Sequence, residues 1–434
     1  GTGTLYSVSG MNTDIDAVVT TASGDVLISA GGTLSQSAVI TSTNGDIGLI
    51  AGGNITQAVN GDITTTTGDV LVDTGADWTM DGGAIITAGG QDVFGRAGNN
   101  ITLGVLSLTN AASNRVALQA VTGSITDANL GSVNIQETVS GATTSVSLRA
   151  GTIIGGAGNT TSTTNNQALD LVVDTIAADS ASGIYLRELA AGGAIEVNTA
   201  AAVTVSIDGV RRSDFDSNTT TVAQSRNLGS LEDLRTSGNG PIKLVAEGGT
   251  ITINRGTTTP AAGISANGTG DVLVEARGLT SDVIVNAPVQ SGTGDVTLNA
   301  GRDVDINTSL TTVGGGTIYV RSGRNTDIDA MITTANGDVL VDASSSISQT
   351  AQITSTTGDI GLIAGQNITQ TATGDITTTT GDVLIKATAG NWTMAGHNTT
   401  RANNTEITLG GGDFLGIAGG NFTLTGITNG NARG

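Results

Sequence analysis

The stretch GDVLISAGGTLSQSAVITSTNGDIGLIAGGNITQ, residues 24–57, contains the pattern that decides the fold. Short runs of Val, Ile, Leu and Thr alternate with Gly, Asp and Asn. Such runs are typical of short strands bounded by turns. Apolar residues alternate with a period of two rather than 3.6, which disfavours helix. The stretch therefore predicts short strands that follow one another closely.

The pattern recurs with a period of roughly 21–23 residues, and each interval contains about three short runs. Gly-Asp pairs mark the recurrence and begin at residues 24, 45, 61, 68, 270, 294, 337, 358, 374 and 381. A chain with this period coils so that each strand lies beside its counterpart one turn later. The sequence therefore predicts an all-β fold, a parallel β-solenoid with about three short strands in each coil.

Alternation along each strand assigns side chains to the inside and the outside of the coil. We expect Thr, Ser and Asn to point outward and aliphatic residues to stack inside the coil, for example Val26, Ile28, Ile47, Leu49, Val339 and Val341. Glycines at the corners would supply turns with positive φ, and Asp or Asn would cap the free amides.

A second, longer repeat divides the chain. Residues 3–73 align without a gap to residues 316–386, with 49 of 71 positions identical. The two copies then diverge, and their similarity resumes at 95–103 and 416–424, where the offset in residue number has widened from 313 to 321. The repeat predicts one large unit at 1–315 and the start of the next at 316–434, within a longer tandem array.

Composition excludes several functional classes. The chain has 38 acidic and 17 basic residues for a net charge of −21, which repels a nucleic-acid backbone. It contains no apolar run of about 18 residues, the length that would predict a membrane span. The absence of cysteine removes disulfides and thiolate sites. Nine aromatic residues among 434 predict a thin, aliphatic core.

The runs GDVLISAGGTLSQSAVITST and GDIGLIAGGNITQ resemble the repeats of filamentous-haemagglutinin-type adhesins and of giant repetitive bacterial surface proteins. The stretch ALDLVVDTIAADSASGIYLRE, residues 168–188, is also similar to large tandem-repeat surface proteins. The resemblance implies a secreted, surface-attached or filamentous β-helix. It implies no catalytic residue.

Residues 208–236 interrupt the pattern and have no Gly-Asp turn. We expect a protruding loop or a short helical turn at 230–235. One interpretation is a surface insertion, which solenoids tolerate on one face. The other is a docking element for a neighbouring rod, because Arg and aromatic residues are favoured at interface centres. Its candidate interaction residues are Arg211, Arg212, Phe215, Arg226 and Arg235.

Several carboxylate pairs are spaced two residues apart, at 14 and 16, 214 and 216, 303 and 305, and 327 and 329. On a strand, both members of a pair share one face, at a separation near that of glycosidase carboxylates. A sugar cleft also needs aromatic platforms, and only Tyr6 and Tyr319 lie close to a pair, so we expect no enzyme. Calcium binding is the alternative function for these carboxylates, because hard cations bind carboxylate oxygens. The candidate calcium ligands are Asp14, Asp16, Asp327 and Asp329. The ordinary interpretation of these residues is that they are solvated acids in turns.

Other motifs carry weaker functional hypotheses. The single histidine, His397, is expected to be an exposed turn residue. Threonine runs at 64–67 and 377–380 suggest ice binding, but many intervals lack them, and cross-strand threonine ladders explain them more simply. Asn-x-Thr sequons such as 54–56 allow glycosylation but are frequent by chance in this composition.

Together these features predict an extracellular, secreted or cell-surface structural protein. It would be a solenoid rod that forms a fibre, an adhesin stalk or a matrix filament. We expect its partners to be other copies of itself, by head-to-tail or lateral association, and cell-surface or matrix polysaccharide. We expect no required cofactor, with Ca²⁺ as the candidate ion. The alternative is a β-helix protein that binds or cleaves polysaccharide.

Overall fold

The computed structural model describes residues 3–158, 167–213, 219–257, 262–395 and 405–425. Every regular element in these ranges is a β-strand, and there are 50 of them. The strands form two compact units, residues 1–234 and 235–434. The predicted all-β parallel solenoid is confirmed. The division between the compact units does not coincide with the repeat boundary at 315/316.

The strands of the first unit are β1 (Leu5–Ser9), β2 (Thr13–Ile15), β3 (Val19–Thr21), β4 (Val26–Ala30), β5 (Leu34–Gln36), β6 (Ile40–Ser42), β7 (Ile47–Ala51), β8 (Ile55–Gln57), β9 (Ile63–Thr65), β10 (Val70–Thr74), β11 (Trp78–Met80), β12 (Ile85–Ala88), β13 (Asp92–Ala97), β14 (Ile101–Leu103), β15 (Val105–Leu108), β16 (Ser113–Ala120), β17 (Ile125–Asp127), β18 (Ile135–Glu137), β19 (Thr143–Ala150), β20 (Ile153–Ile154), β21 (Leu169–Val172), β22 (Thr175–Ser180), β23 (Gly183–Glu188), β24 (Ile195–Val197), β25 (Val203–Ser213) and β26 (Thr219–Leu228).

The second unit follows with β27 (Leu234–Thr236), which begins at the boundary, and then β28 (Ile242–Ala246), β29 (Ile251–Ile253), β30 (Ile264–Ala266), β31 (Val272–Ala276), β32 (Val283–Val285), β33 (Val289–Ser291), β34 (Val296–Ala300), β35 (Val304–Ile306), β36 (Leu310–Thr312), β37 (Ile318–Ser322), β38 (Thr326–Ile328), β39 (Ile332–Thr334), β40 (Val339–Ala343), β41 (Ile347–Gln349), β42 (Ile353–Ser355), β43 (Ile360–Ala364), β44 (Ile368–Gln370), β45 (Ile376–Thr378), β46 (Val383–Ala387), β47 (Trp392–Ala395), β48 (Ile407–Leu409), β49 (Phe414–Ala418) and β50 (Phe422–Thr425).

In each unit, a regular coil consists of one longer strand followed by two shorter ones, and each strand pairs in parallel with its counterpart in the next coil. Val26 pairs with Leu5 on one side and with Ile47 on the other, at equal sequence steps. Ile47 then pairs with Val70, at a step two positions longer. The same arrangement holds in the second unit, where β37, β40, β43 and β46 pair in succession. These steps match the predicted period, which is therefore confirmed in these coils.

The inward columns are filled as the alternation predicts. The six residues expected inside are all buried, with at most 3% of their surface exposed: Val26, Ile28, Ile47, Leu49, Val339 and Val341. Each contacts the equivalent residue of the next coil, so removal of apolar surface from water stabilises every coil through its neighbours.

A buried polar ladder accompanies the aliphatic columns and uses the Ile-x-Gln motif. The Gln57 side-chain amide donates to Gln36 Oε1 at 3.2 Å, and the Trp78 indole N–H donates to Gln57 Oε1 at 2.8 Å. The second unit repeats the arrangement with Gln349, Gln370 and Trp392. Because a buried amide without a partner is costly, these stacked bonds fix the register between coils.

The Gly-Asp pairs lie at corners of the coil where the backbones of successive coils come close. The Asp25 carboxylate accepts the backbone N–H of Asp46 at 3.0 Å, and Asp46 accepts that of Asp69 at 2.7 Å. In the second unit, Asp338 accepts the N–H of Asp359 at 2.8 Å. Each aspartate therefore caps the amide of the next coil, as expected.

The glycine in the pair has a different role from the expected one. None of the Gly-Asp glycines is among the residues with positive φ in the described chain. Instead, a Cβ at Gly45 would lie 2.4 Å from the carbonyl oxygen of Gly24, and a Cβ at Gly358 would lie 2.1 Å from that of Gly337. The expectation of positive φ at these corners is therefore wrong. Glycine is needed because the backbones of successive coils touch.

This close contact predicts the effect of adding one methyl group. We expect Gly45→Ala or Gly358→Ala to lower the free energy of unfolding by roughly 1–3 kcal/mol, because the backbone of two coils must separate. Urea denaturation measures the change. Gly229→Ala is the matched control, since a Cβ there meets nothing within 4 Å, and it should be neutral. Equal stability of all three variants would contradict the account.

Candidate functional site

The interrupting segment is an antiparallel hairpin, β25 paired with β26, that starts earlier than the sequence predicted. It begins at Val203 rather than at residue 208. The predicted helical turn at 230–235 is wrong, because Leu231 forms an antiparallel bridge with Ala200 and β27 starts at Leu234. The signal was present in the sequence, since Val203, Val205 and Ile207 alternate with polar residues in the pattern of a half-buried strand.

The hairpin packs on the first unit through residues 203–210 and Leu228. Its apolar face is buried against outward-pointing residues of the longer strands. The cluster contains Leu27, Leu71, Phe94 and Ala117 of the solenoid, with Val203, Val205, Ile207, Val210 and Leu228 of the hairpin. Residues on this face were expected to be polar. A column of apolar residues is present instead, and the hairpin removes it from water.

The first contact that seats the hairpin is a fit between a glycine and a side chain. Ile207 lies over Gly48, where a Cβ would come within 2.9 Å of Ile207 Cγ1. Gly48 stands between Leu27 and Leu71 in the ladder, so it leaves a gap in the apolar column that Ile207 fills.

The second contact is polar and uses the aspartate corner. At the bulge in β25, the backbone N–H of Gly209 donates to Asp25 Oδ2 at 2.7 Å. Burial raises the pKa of Asp46 to about 6, and the nearby carboxylates of Asp69, Asp25 and Asp208 contribute to the increase. The hairpin thus brings Asp208 close to a column of acids that already repel one another.

The third contact is an ion pair. Arg226 Nε donates to Asp73 Oδ2 at 2.5 Å, and Arg96 donates to Asp73 Oδ1 at 3.3 Å. Asp73 is buried, so the two guanidinium groups compensate a carboxylate that has lost most of its water. Arg226 therefore fixes the second strand of the hairpin on the solenoid.

The candidate interaction residues are thus dispersed. Arg226 forms an ion pair with Asp73 of the same chain. Arg235 is exposed on β27. The backbones of Arg211 and Arg212 pair with Thr221 and Thr220, and Phe215 lies outside the described residues, as does His397. Docking of this segment onto a neighbouring rod stays a prediction.

A second feature of the first unit is an acidic cleft of about 400 Å³. It lies next to β18, β21 and β23, in coils that are longer than the regular ones. Glu137 and Asp174 line it, and both bind Thr144, whose hydroxyl donates to Glu137 at 2.8 Å and whose N–H donates to Asp174 at 2.7 Å. No aromatic side chain is among the described residues that line the cleft. Nothing in the sequence indicated this cleft, because coil steps of 30 residues bring these acids together outside the regular period.

Glu188 lies behind the cleft and is fully buried. One carboxyl oxygen accepts the N–H of Val173 at 3.1 Å, and the other has no hydrogen-bond partner. Loss of hydration raises the pKa of Glu188 to about 9, and repulsion from Asp174 adds to the shift. Glu188 therefore holds a proton at neutral pH.

The calcium candidates occupy regular coil positions. Asp14 is exposed on β2, and Asp16 accepts a hydrogen bond from the Ser37 hydroxyl at 2.7 Å. Asp329 accepts one from Thr350 at 2.7 Å. Burial raises the pKa of Asp327, as does the charge of Asp329. Within the described ranges, no three or more His, Cys, Asp or Glu side chains are grouped so as to hold a metal ion. Calcium binding stays a prediction.

Comparisons with known proteins add no function. No protein-family model, curated protein or solved structure matches this chain. The part of the chain that the structure describes contains no helix with the length and hydrophobicity that a membrane crossing requires.

The contact between Ile207 and Gly48 predicts opposite outcomes at two equivalent glycines. Gly48→Leu should destabilise the first unit by roughly 1–3 kcal/mol, because the new side chain competes with Ile207 for the same space. Gly361→Leu, at the same position of the second copy, should be tolerated, since the nearest atom to a Cβ there is the flexible end of the Leu340 side chain. Urea denaturation distinguishes the two. Equal effects would contradict the packing of the hairpin.

Glu188 predicts how stability depends on pH. Its pKa in the folded chain, about 9, lies above the ordinary value of 4.5, so the folded state holds the proton more tightly. The stabilisation is complete below about pH 4.5 and is lost as pH rises towards 9, by up to ~1.4 kcal/mol per pH unit.

Denaturation followed by Trp78 fluorescence in a Trp392→Phe background measures this dependence between pH 5 and 8. Glu188→Gln should remove most of it, whereas Glu196→Gln, at an exposed glutamate, should not. An unchanged pH profile in Glu188→Gln would show that Glu188 is ionised in the folded chain.

Proposed function

We propose that this chain is a structural element of an extracellular or cell-surface fibre, adhesin stalk or matrix filament, built by association of solenoid units. One observation carries the proposal: the polar side chains that recur along the regular coils bind the next coil. The aspartate ladder at the Gly-Asp corners and the glutamine ladder in the core are the main examples.

The arrangement of hydrogen bonds suits a mechanical role. Backbone N–H groups donate to the neighbouring coil, as from Val26 to Asp46 at 2.8 Å and from Val339 to Asp359 at 2.8 Å. Several such bonds connect each pair of coils in parallel, so a pulling force along the stack is shared among them. Repeat proteins of this kind also gain stability by adding units, without a single large core.

Charge and open edges support assembly into filaments. The terminal coils of any solenoid expose unpaired strand edges, and another unit offers the matching edge. A net charge of −21 keeps the long faces of the units apart at low ionic strength. Association is therefore favoured end to end, while divalent cations or a polysaccharide matrix would connect acidic faces laterally. The resemblance to filamentous-haemagglutinin-type repeats agrees with this role.

Electron microscopy of the purified chain at rising concentration tests the proposal. We expect thin, unbranched filaments that lengthen with protein concentration, and lateral bundles when Ca²⁺ is added. The Gly45→Ala/Gly358→Ala double variant, whose coils stack poorly, should assemble less, and Gly229→Ala should assemble like the parent. Discrete particles at every concentration, with and without Ca²⁺, would refute the filament role.

A further inference from the structure

The second unit repeats the face that the hairpin covers in the first unit. The outward column of the first unit is Tyr6, Leu27, Gly48, Leu71 and Phe94, joined in register from strand to strand. The equivalent column of the second unit is Tyr319, Leu340, Gly361, Leu384 and Leu415, in the same register. Four of these five positions hold the identical residue.

In the second unit this face is uncovered among the described residues. Leu27 and Leu71 are at most 1% exposed beneath the hairpin. Their counterparts Leu340 and Leu384 are half-buried, and Leu415 is 56% exposed. Four residues of the column, Leu340, Gly361, Leu384 and Leu415, line an apolar groove of about 430 Å³. Asp338, Asp359, Asp382 and Asp413 form its edge.

The groove keeps the features that seat a hairpin. Gly361 leaves the same gap between two leucines that Gly48 leaves for Ile207. Asp338 corresponds to Asp25, the acceptor for the Gly209 N–H, and it is exposed. An apolar gap and an exposed carboxylate acceptor are therefore both present without the hairpin that uses them in the first unit.

The charge at one position of the face is reversed. Asp73, the partner of Arg226, corresponds to Lys386, and Arg96 corresponds to Ile417. In the ladder, Lys386 stands between Ile363 and Ile417. Within the described ranges it forms no ion pair. A hairpin seated here would need an acidic side chain where the first hairpin carries arginine.

We propose that the groove of the second unit is the seat of a second β-hairpin, with a branched aliphatic inner face and a carboxylate opposite Lys386. The occupant we infer is the counterpart of residues 203–228 in the repeat copy that starts at Gly316, a segment that the offset between the copies places downstream of Gly434. The inference rests on the interface in the first unit and on the internal repeat, and it does not depend on the filament role.

A second copy of this chain is a poorer occupant. Each copy has one such hairpin among its described residues, and that hairpin already buries its apolar face against its own solenoid. Moving it to another copy would uncover one face in order to cover the other. Its Arg226 would also face Lys386, which places like charges together.

The experiment measures binding of a closed hairpin peptide to the intact chain. Residues 203–228 are synthesised with the neighbouring ends, Val203 and Leu228, joined by a D-Pro-Gly turn, because isolated hairpins are marginally stable. Two labelled forms are compared by fluorescence anisotropy, the parent peptide and its Arg226→Glu form. We expect the Glu form to bind at least tenfold more tightly, the effect of one charge-assisted hydrogen bond.

Two chain variants separate the intended groove from other sites. Lys386→Asp should reverse the preference, and Gly361→Leu should abolish binding by filling the gap without lowering stability. Equal binding of both peptides, no binding of either, or binding that persists in Gly361→Leu would each overturn the proposal. So would a dimer of the parent chain that disappears when residues 203–228 are deleted, because it would identify a second copy as the occupant.

Discussion

The structure depends on direct contact between the backbones of successive coils at the Gly-Asp corners. No side chain fits there, because a Cβ on Gly45 or Gly358 would overlap the carbonyl of the coil before it. This contact brings the carboxylate of each aspartate within hydrogen-bond distance of the next coil's amide. The strand spacing, the stacking of Val and Ile in columns and the glutamine ladder all require coils held at this separation.

The stacked coils leave outward columns whose character is free to vary, and this is where the two copies differ. In the first unit an apolar column is covered by β25 and β26, held by Ile207 over Gly48 and by Arg226 on Asp73. In the second unit the apolar column is retained and the charge is reversed at Lys386. The repeat thus preserves the shape of the face while changing which charge fits it. The proposed second seat differs from the first mainly in charge, a difference that would keep each hairpin on its own unit.

Much of the fold could be predicted from the sequence, because short-range rules determine it. The period of the coils, the inward Val26 and Ile28, and the amide caps at Asp25 and Asp46 all follow from local patterns. The role of the corner glycines did not, because φ is a local property while the contact with the preceding coil is not. The sequence predicted an interruption of the repeat but not a hairpin, because Val203 and Ile207 alternate with polar residues as in any other strand. The acids Glu137, Asp174 and Glu188 could not be grouped, because longer coils bring them together without a sequence period.

The most direct test of the central claim is amide hydrogen exchange resolved to single residues at the Gly-Asp corners. These amides lie in turns, where exchange is ordinarily fast. Contact between coils predicts that the N–H groups of Asp46, Asp69, Asp359 and Asp382 are protected to the same extent as the strands beside them, because each is bound to the aspartate of the preceding coil. Exchange at these four amides as fast as in an unstructured peptide would contradict the stacking on which the fold, the packing of the hairpin and the proposed filament role all depend.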